Sequence, residues 1–276
     1  MSIKINNKTY QAIIFDVDDT LIDTSKSYDE AIKKTVKKFT SAEVSDEHLS
    51  LVRSKGIYYG VNNDWNVTWL LMELVKQFPK EKWEEALTNN VLSEIQPDLE
   101  EYLKMKAFFQ HLYLGNPYFN GQGLIDTAEE KMYADNFFPI LKARGIICAI
   151  VTSRPTEEAL YALKDVHSLI GEFIISAGSK NALGQLIAEK PSPEPILECV
   201  NRLSVVAKDC VYIGNSSSDY IAAREAGVDF IQVGFSQIDR GNEPEGFNYF
   251  KLDSVNELLN CAFVVGDKSP TTNGLT

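Results

Sequence analysis

The chain has little of several residue types that would narrow its chemistry. Its 276 residues include four cysteines and three histidines. Cys148, Cys199, Cys210 and Cys261 lie far apart, without the paired spacing of a zinc site or a redox dithiol, so they read as buried thiols in a reducing compartment. His48, His111 and His167 have neither ligand nor triad spacing. No apolar run approaches a membrane span. The first apolar run, behind a polar, Lys-bearing start, is too short for the core of an export signal, so the expectation is a cytoplasmic protein with no membrane partner. Internal repeats and low-complexity blocks are missing as well. Basic residues are in deficit, 27 against 39 acidic, for a net charge of −12, which argues against nucleic acid as a partner. A phosphorylated small molecule stays compatible, because a metal and a few lysines can reverse the local field. What is present is 44% apolar residues in a chain long enough for a large core and a second domain.

The most informative segment runs from Phe15 to Thr24. The short apolar run Ala12 to Phe15 ends in Asp16 and Asp18, two residues apart. Side chains at that spacing on an extended segment share a side, so both carboxylates are expected at one site on the carboxyl edge of a sheet. Two unit charges about 4 Å apart near a protein surface repel by roughly 4 kcal/mol, so the pair calls for a divalent cation or a raised pKa on one member. Such a pair suits metal-assisted phosphoryl transfer, one carboxylate as nucleophile and the other as general acid and base. A solvated acidic turn is the plainer alternative.

After this segment, about a hundred residues show helical periodicity: Tyr28 to Phe39, Leu49 to Val52, Trp65 to Phe78, Trp83 to Ile95 and Leu99 to Leu114. Ser45 and Asp64 are placed to start two of these helices. From about Asp126 the pattern alternates. Strands are expected at Ile146 to Val151, Phe173 to Ser176, Cys210 to Gly214 and Phe230 to Gly234, with helices at Thr156 to Val166, Pro193 to Leu203 and Asp219 to Ala226. The fold class is therefore α/β: a doubly wound parallel sheet, with ligands at the carboxyl ends of its strands and an inserted all-helical domain. Residues 1–22 and 126–265 form the expected core, 23–125 the insert and 266–276 a loose tail.

Three further strand ends carry polar groups. Thr152, Ser153 and Arg154 follow the second core strand, ahead of a helix start suited to an anion. Lys190 stands just before a helix with proline in its first turn. Gly214 leads into Asn215-Ser216-Ser217-Ser218-Asp219, whose oxygens suit Mg²⁺.

In order and placement these segments resemble the four motifs of the haloacid dehalogenase superfamily of phosphotransferases. Asp16 and Asp18 match the first, Thr152 the second, Lys190 the third, and Gly214 to Asp219 the fourth. The helical insert is similar to the cap of the phosphoglycolate phosphatase and β-phosphoglucomutase branch. The resemblance implies that Asp16 attacks phosphorus while Asp18 protonates the leaving oxygen and later activates water. It implies Mg²⁺ on the Asp16 carboxylate, the Asp18 backbone carbonyl and the last motif, here Asn215 and Asp219, and a phosphoryl clamp of Thr152, the Ser153 amide and Lys190. Asp18 disfavours the dehalogenase and phosphonatase branches and favours ester chemistry.

Asn215 departs from the pattern, since relatives usually carry an acid there that ligates the metal; weaker Mg²⁺ binding is expected, and Asp219 is expected to take over as ligand, directly or through water. Substrate contacts are expected from Ser153, from Arg154 as partner of a second anionic group, from Lys26 just after the first motif, and from Asn63 and Trp65 in a polar-aromatic patch of the insert that includes Asn62. The aromatic cluster from Phe108 to Phe119 packs the insert or a partner chain, which keeps a homodimer among the expectations. The expected function is a Mg²⁺-dependent phosphatase for a small phosphorylated metabolite. A phosphomutase and a noncatalytic phosphoryl-binding module are the alternatives.

Overall fold

The computed structural model describes residues 2–56, 63–89, 98–170, 173–234, 238, 240 and 243–264. The chain divides into two units, Met1–Asp23 with Lys131–Thr276, and Thr24–Glu130. The expected tail, 266–276, and Asn62 lie outside the described residues.

The strands, in chain order, are β1 (Ser2–Ile5), β2 (Lys8–Tyr10), β3 (Ala12–Phe15), β4 (Ile22–Asp23), β5 (Glu130–Lys131), β6 (Ile147–Pro155), β7 (Ile174–Ala177), β8 (Cys210–Gly214), β9 (Asp229–Val233), β10 (Tyr249–Leu252) and β11 (Ala262–Val264). The first unit is built on a six-stranded sheet in the order β10-β9-β8-β3-β6-β7, and its pairings are parallel. Its central strands are continuous apolar runs because both faces are covered. Alternation then sorts their side chains into two cores. Ile13, Phe15, Cys148, Ile150, Val211 and Ile213 enter one, while Ala12, Ile14, Ala149, Val151, Cys210 and Tyr212 enter the other. The helices α7 (Phe137–Ala143) and α9 (His167–Ile170) cover the first face through Phe137, Phe138, Leu141 and Ile170. The helices α10 (Glu194–Leu203) and α11 (Ser217–Glu225) cover the second through Ile196, Cys199, Leu203 and Tyr220. This is the doubly wound arrangement that the alternation implies.

The chain passes from β3 to β6 and β7 on one side, then returns to β8 on the other. β3 is therefore the switch point, where loops diverge at the carboxyl edge and leave a crevice. Phe15 stands level with both Ile150 and Ile213, so the residues that follow these three strands emerge together.

Two features depart from expectation. A three-stranded antiparallel sheet, β11-β1-β2, forms at the N-terminus, with its hairpin turning through Asn6 at φ 52°. Buried Asp229 pins the hairpin: it accepts from Tyr10 Oη at 2.6 Å, Lys8 Nζ at 2.7 Å and Asn248 N at 3.0 Å. The helix expected over Thr156 to Val166 ends early: α8 spans Thr156–Ala162, and a turn leads into α9.

The second unit holds α1 (Ser27–Thr40), α2 (Asp46–Gly56), α3 (Asp64–Gln77), α4 (Trp83–Thr88), α5 (Leu99–Leu114) and α6 (Leu124–Thr127). Arg53 bridges Asp29 at 2.7 Å and Asp64 at 2.9 Å, which ties α2 to α1 and α3. The rings of Tyr28 and Tyr113 stack at 4.7 Å between α1 and α5. Asn63, rather than Asp64, caps α3, its side chain accepting from Asn66 N at 2.9 Å. Among the described residues no helix is long and apolar enough to cross a membrane.

Candidate active site

Asp16 continues the Ala12 and Ile14 face of β3 past the end of the strand, and its amide donates to the Ile213 carbonyl at 2.8 Å. The chain then turns sharply. The Val17 carbonyl accepts from the amides of Thr20, Leu21 and Ile22 at 3.2, 2.8 and 3.0 Å. Asp16 is thereby held at the carboxyl edge, only 5% exposed.

Lys190 lies against it. Its ammonium donates to Asp16 Oδ1 at 2.7 Å, to Asp219 Oδ1 at 2.5 Å and to the Tyr212 hydroxyl at 3.1 Å, which uses all three of its protons. Tyr212 Oη also lies 3.1 Å from Asp219 Oδ1 and 2.8 Å from the Val151 carbonyl, so it links β8, β6 and the lysine. The other oxygen of Asp219, Oδ2, accepts from Ser216 Oγ at 2.6 Å, Ser216 N at 3.0 Å and Asn215 N at 3.2 Å. Ser216 and Asp219 form a reciprocal capping box at the start of α11.

This buried group of two carboxylates and one ammonium has an excess negative charge. Burial, then the Asp219 charge, raise the Asp16 pKa to about 7, against the opposing pull of Lys190. Burial also works against ionised Asp219, but Lys190 and the Ser216 donors outweigh it and hold that carboxyl below its ordinary value. Lys190 loses from burial and gains more from its two carboxylate partners, so it stays protonated. The difference between the carboxylates follows from their donors, since Asp219 accepts from Ser216 and Asn215 as well as from Lys190.

Arg154 meets the second carboxylate of the first motif. Its Nε and Nη2 converge on Asp18 Oδ1 at 2.8 and 2.5 Å, with the guanidinium buried and Asp18 31% exposed. The Arg154 amide donates to Thr152 Oγ1 at 3.1 Å. Thr152 and Arg154 are buried, whereas Ser153 between them is exposed, as alternation along β6 requires.

The structure thus brings Asp16, Asp18, Thr152, Arg154, Lys190 and Asp219 to one edge, and it changes three expected roles. Arg154 was expected to meet a substrate anion, but its side chain is buried and ion-paired with Asp18. Asp219 was expected to ligate the metal directly or through water; here both its oxygens accept from protein donors, Lys190 on Oδ1 and Ser216 and Asn215 on Oδ2. Thr152 to Arg154 belong to the end of β6, and α8 is too short to supply a helix-terminal anion site.

In the second unit, Lys26 is exposed at the N-terminus of α1, Asn63 caps α3, and Trp65 donates to Gln110 Oε1 at 3.1 Å beneath Lys106, whose ammonium sits 3.5 Å from the ring centroid. Asn63 and Trp65 therefore have roles inside the insert. Tyr212 has no expected role in the sequence, and Ser216, expected only among oxygens suited to Mg²⁺, instead donates to Asp219. A tyrosine in an otherwise aliphatic strand and the Ser-x-x-Asp spacing were the available signals.

The unused donors fit a hard divalent cation. Among the described residues Asp16 accepts a side-chain hydrogen bond from Lys190 alone, through Oδ1, and the Asn215 side chain has no hydrogen bond. A carboxylate oxygen, an amide oxygen and nearby backbone carbonyls are the ligand types that Mg²⁺ takes. No cluster of three His, Cys, Asp or Glu side chains occurs among the described residues, so carbonyls and water must complete any shell.

Residues 10–227 match the family model described as haloacid dehalogenase-like hydrolase. The chain belongs to the haloacid dehalogenase-like hydrolase family. Curated relatives within reach include a phosphoglycolate phosphatase of Colwellia psychrerythraea, 24% identical over 90% of this chain and 95% of its own. A phosphorylated carbohydrates phosphatase of Thermotoga maritima is 27% identical over 91% of this chain and 97% of its own. Solved structures share the haloacid dehalogenase-like fold. Phosphatase Tt82 from Thermococcus thioreducens superposes with a TM-score of 0.57 at 23% identity, covering 90% of this chain and 97% of its own. A predicted phosphoglycolate phosphatase from Haemophilus somnus 129pt gives 0.60 at 19%, covering 91% and 97%.

Proposed function

We propose that this hydrolase is a Mg²⁺-dependent phosphatase that cleaves a small phosphorylated metabolite through an aspartyl phosphate on Asp16. The observation that carries the reading is the asymmetry of the Asp16 carboxylate: among the described residues it accepts a side-chain hydrogen bond from Lys190 alone, through Oδ1 at 2.7 Å. One oxygen is anchored and the other is left for attack.

In the first step Asp16 Oδ2 forms a bond to phosphorus as the ester P–O bond breaks, and Asp18 gives the departing oxygen its proton. In the second, Asp18 removes a proton from water as the water oxygen bonds to phosphorus and Asp16 leaves, which restores both residues. The Thr152 hydroxyl already accepts from the Arg154 amide, so its own proton is left for a phosphoryl oxygen. Lys190 supplies fixed positive charge beside the nucleophile, and exposed Ser153 stands next to Thr152. Asp16, Asn215 and the Asp18 carbonyl would hold Mg²⁺, which when bound offsets the negative charge gathered by a phosphoryl group. The names of the Colwellia and Thermotoga relatives support a small phosphorylated organic acid or sugar as substrate.

A screen of phosphorylated metabolites with and without Mg²⁺, run beside Asp16→Asn, tests the reading. Mg²⁺-dependent release of inorganic phosphate, abolished by Asp16→Asn, is expected. Turnover that survives Asp16→Asn would contradict it. Transfer of the phosphoryl group to a second hydroxyl of a sugar would favour a mutase, and beryllofluoride binding without hydrolysis of any ester would favour a noncatalytic module.

A further inference from the structure

We propose that Arg154 positions Asp18 for proton transfer, holding one carboxylate oxygen so that the other carries the proton; this rests on the acid and base role assigned to Asp18 above. Three observations support it.

The first is geometric. Nε and Nη2 of Arg154 both point at Asp18 Oδ1, at 2.8 and 2.5 Å, and no donor among the described residues reaches Oδ2. A fork that grips one oxygen fixes the carboxyl rotamer and leaves the second oxygen to exchange a proton. A lysine cannot do the same, because a single ammonium lets the carboxylate swing about it.

The second is burial. The Arg154 side chain is fully buried, whereas Asp18 keeps 31% of its side-chain surface. Arginine stays charged inside proteins, and an unpaired buried cation is costly, so the guanidinium is bound to the carboxylate rather than held in reserve for an incoming anion. The exposed partner is the one that can reach substrate.

The third is continuity with the phosphoryl clamp. The same residue whose side chain holds Asp18 donates its amide to Thr152 Oγ1 at 3.1 Å. The end of β6 thus sets the acid on one hand and the phosphoryl-binding hydroxyl on the other, on the strand next to β3. Pre-setting both groups removes a rearrangement that would otherwise slow the chemical step, and a misplaced catalytic group costs up to about a hundredfold in rate. Arg154 is on this account a positioning residue, since it touches Asp18 and not the reacting atoms.

The test uses the full chain with Mg²⁺ and a series of ring-substituted phenyl phosphates, which share a shape and differ in the basicity of the leaving oxygen. A poor leaving group needs the proton from Asp18, and a good one such as p-nitrophenolate does not. The quantity kcat/KM includes only steps up to loss of that group, so the later role of Asp18 as base does not enter. Arg154→Met is expected to lower kcat/KM for phenyl phosphate at least about tenfold more than for p-nitrophenyl phosphate, and Asp18→Asn to do the same more strongly. Arg154→Lys should fall between Arg154→Met and the native chain.

An equal loss on all esters in Arg154→Met, with Asp18→Asn still sensitive to the leaving group, would overturn the inference and leave the reading of Asp18 intact. Insensitivity of Asp18→Asn as well would remove that reading and the inference together. Circular dichroism and thermal melting establish whether each variant folds. If Arg154→Met does not, Arg154→Lys decides, and a leaving-group dependence equal to that of the native chain overturns the inference.

Discussion

Gly214 makes room for Asp219. A Cβ added at Gly214 would stand 2.6 Å from Asp219 Cγ and 2.7 Å from its Oδ2. No real side-chain carbon is tolerated at that range, and the obstacle is a fully buried carboxylate that anchors Lys190. Gly214→Ala must therefore push Asp219 away from the lysine. The expected result is a folded chain with kcat/KM lowered by up to about a hundredfold, the scale set by a misplaced catalytic group. Activity within about threefold of the native chain would show that the contact between Lys190 and Asp219 is dispensable.

Asn215 supplies an amide where an acid would add a negative charge. Its side chain has no hydrogen bond among the described residues, so replacement does not break a packed network. Asn215→Asp is expected to lower the Mg²⁺ concentration for half-maximal activity about tenfold, because a carboxylate binds a hard cation more strongly than an amide does. An unchanged requirement, measured by titrating Mg²⁺ at fixed substrate, would place the metal away from this residue.

Asp16 couples stability to pH. Its pKa is raised to about 7, mainly by burial and then by Asp219. An unfolded chain releases this proton near pH 4, so between about pH 4 and pH 7 the folded state binds more protons. The contribution of Asp16 to stability is complete below that window and is lost as pH rises through it. A cation that replaces the proton acts in the opposite sense. The rise in melting temperature on adding Mg²⁺ is expected to be larger at pH 8 than at pH 6, and an equal rise at both would contradict the assignment of Asp16 as ligand.

The thiols offer a check independent of catalysis. Burial raises Cys148 and Cys210 to about 12, and raises Cys199 as well, whereas Cys261 is only partly buried. In the native chain at pH 8, a disulfide reagent is expected to titrate Cys261 rapidly and the other three only after unfolding. Rapid reaction at all four would mean that neither α7 and α9, over Cys148, nor α10 and α11, over Cys199 and Cys210, seal their faces of the sheet.

The central strands were legible because their composition leaves little choice: Ala12 to Phe15, Ile146 to Val151 and Cys210 to Gly214 are covered on both faces, and the polar residues that follow them fall at one edge. The hairpin of β1 and β2 was not read, although Ile3-Lys4-Ile5 and Lys8-Thr9-Tyr10 alternate about Asn6-Asn7, because strands of three or four residues carry little periodic signal. β10, half-exposed at the sheet edge, gave even less. Helical periodicity ran on through the turn after α8, since Leu163 and Val166 are buried there as they would be in a helix.

Within the site, residue types predicted location better than role. Arg154 and Asp219 were both placed at the right strand ends. Their partners are set by side chains 136 and 29 residues away, Asp18 and Lys190, and no local pattern reveals such distances. Tyr212 is a core residue whose hydroxyl reaches Lys190 and Asp219 from within the core.

The most direct measurement of the account is the fate of the phosphoryl group during turnover. Acid quenching of the Mg²⁺-loaded chain with a good phosphate ester, followed by mass spectrometry of the digested peptides, should find the phosphoryl increment on the peptide that contains Asp16, and should find none in Asp16→Asn. Turnover with no covalent intermediate at Asp16, or with the label on another residue, would contradict it.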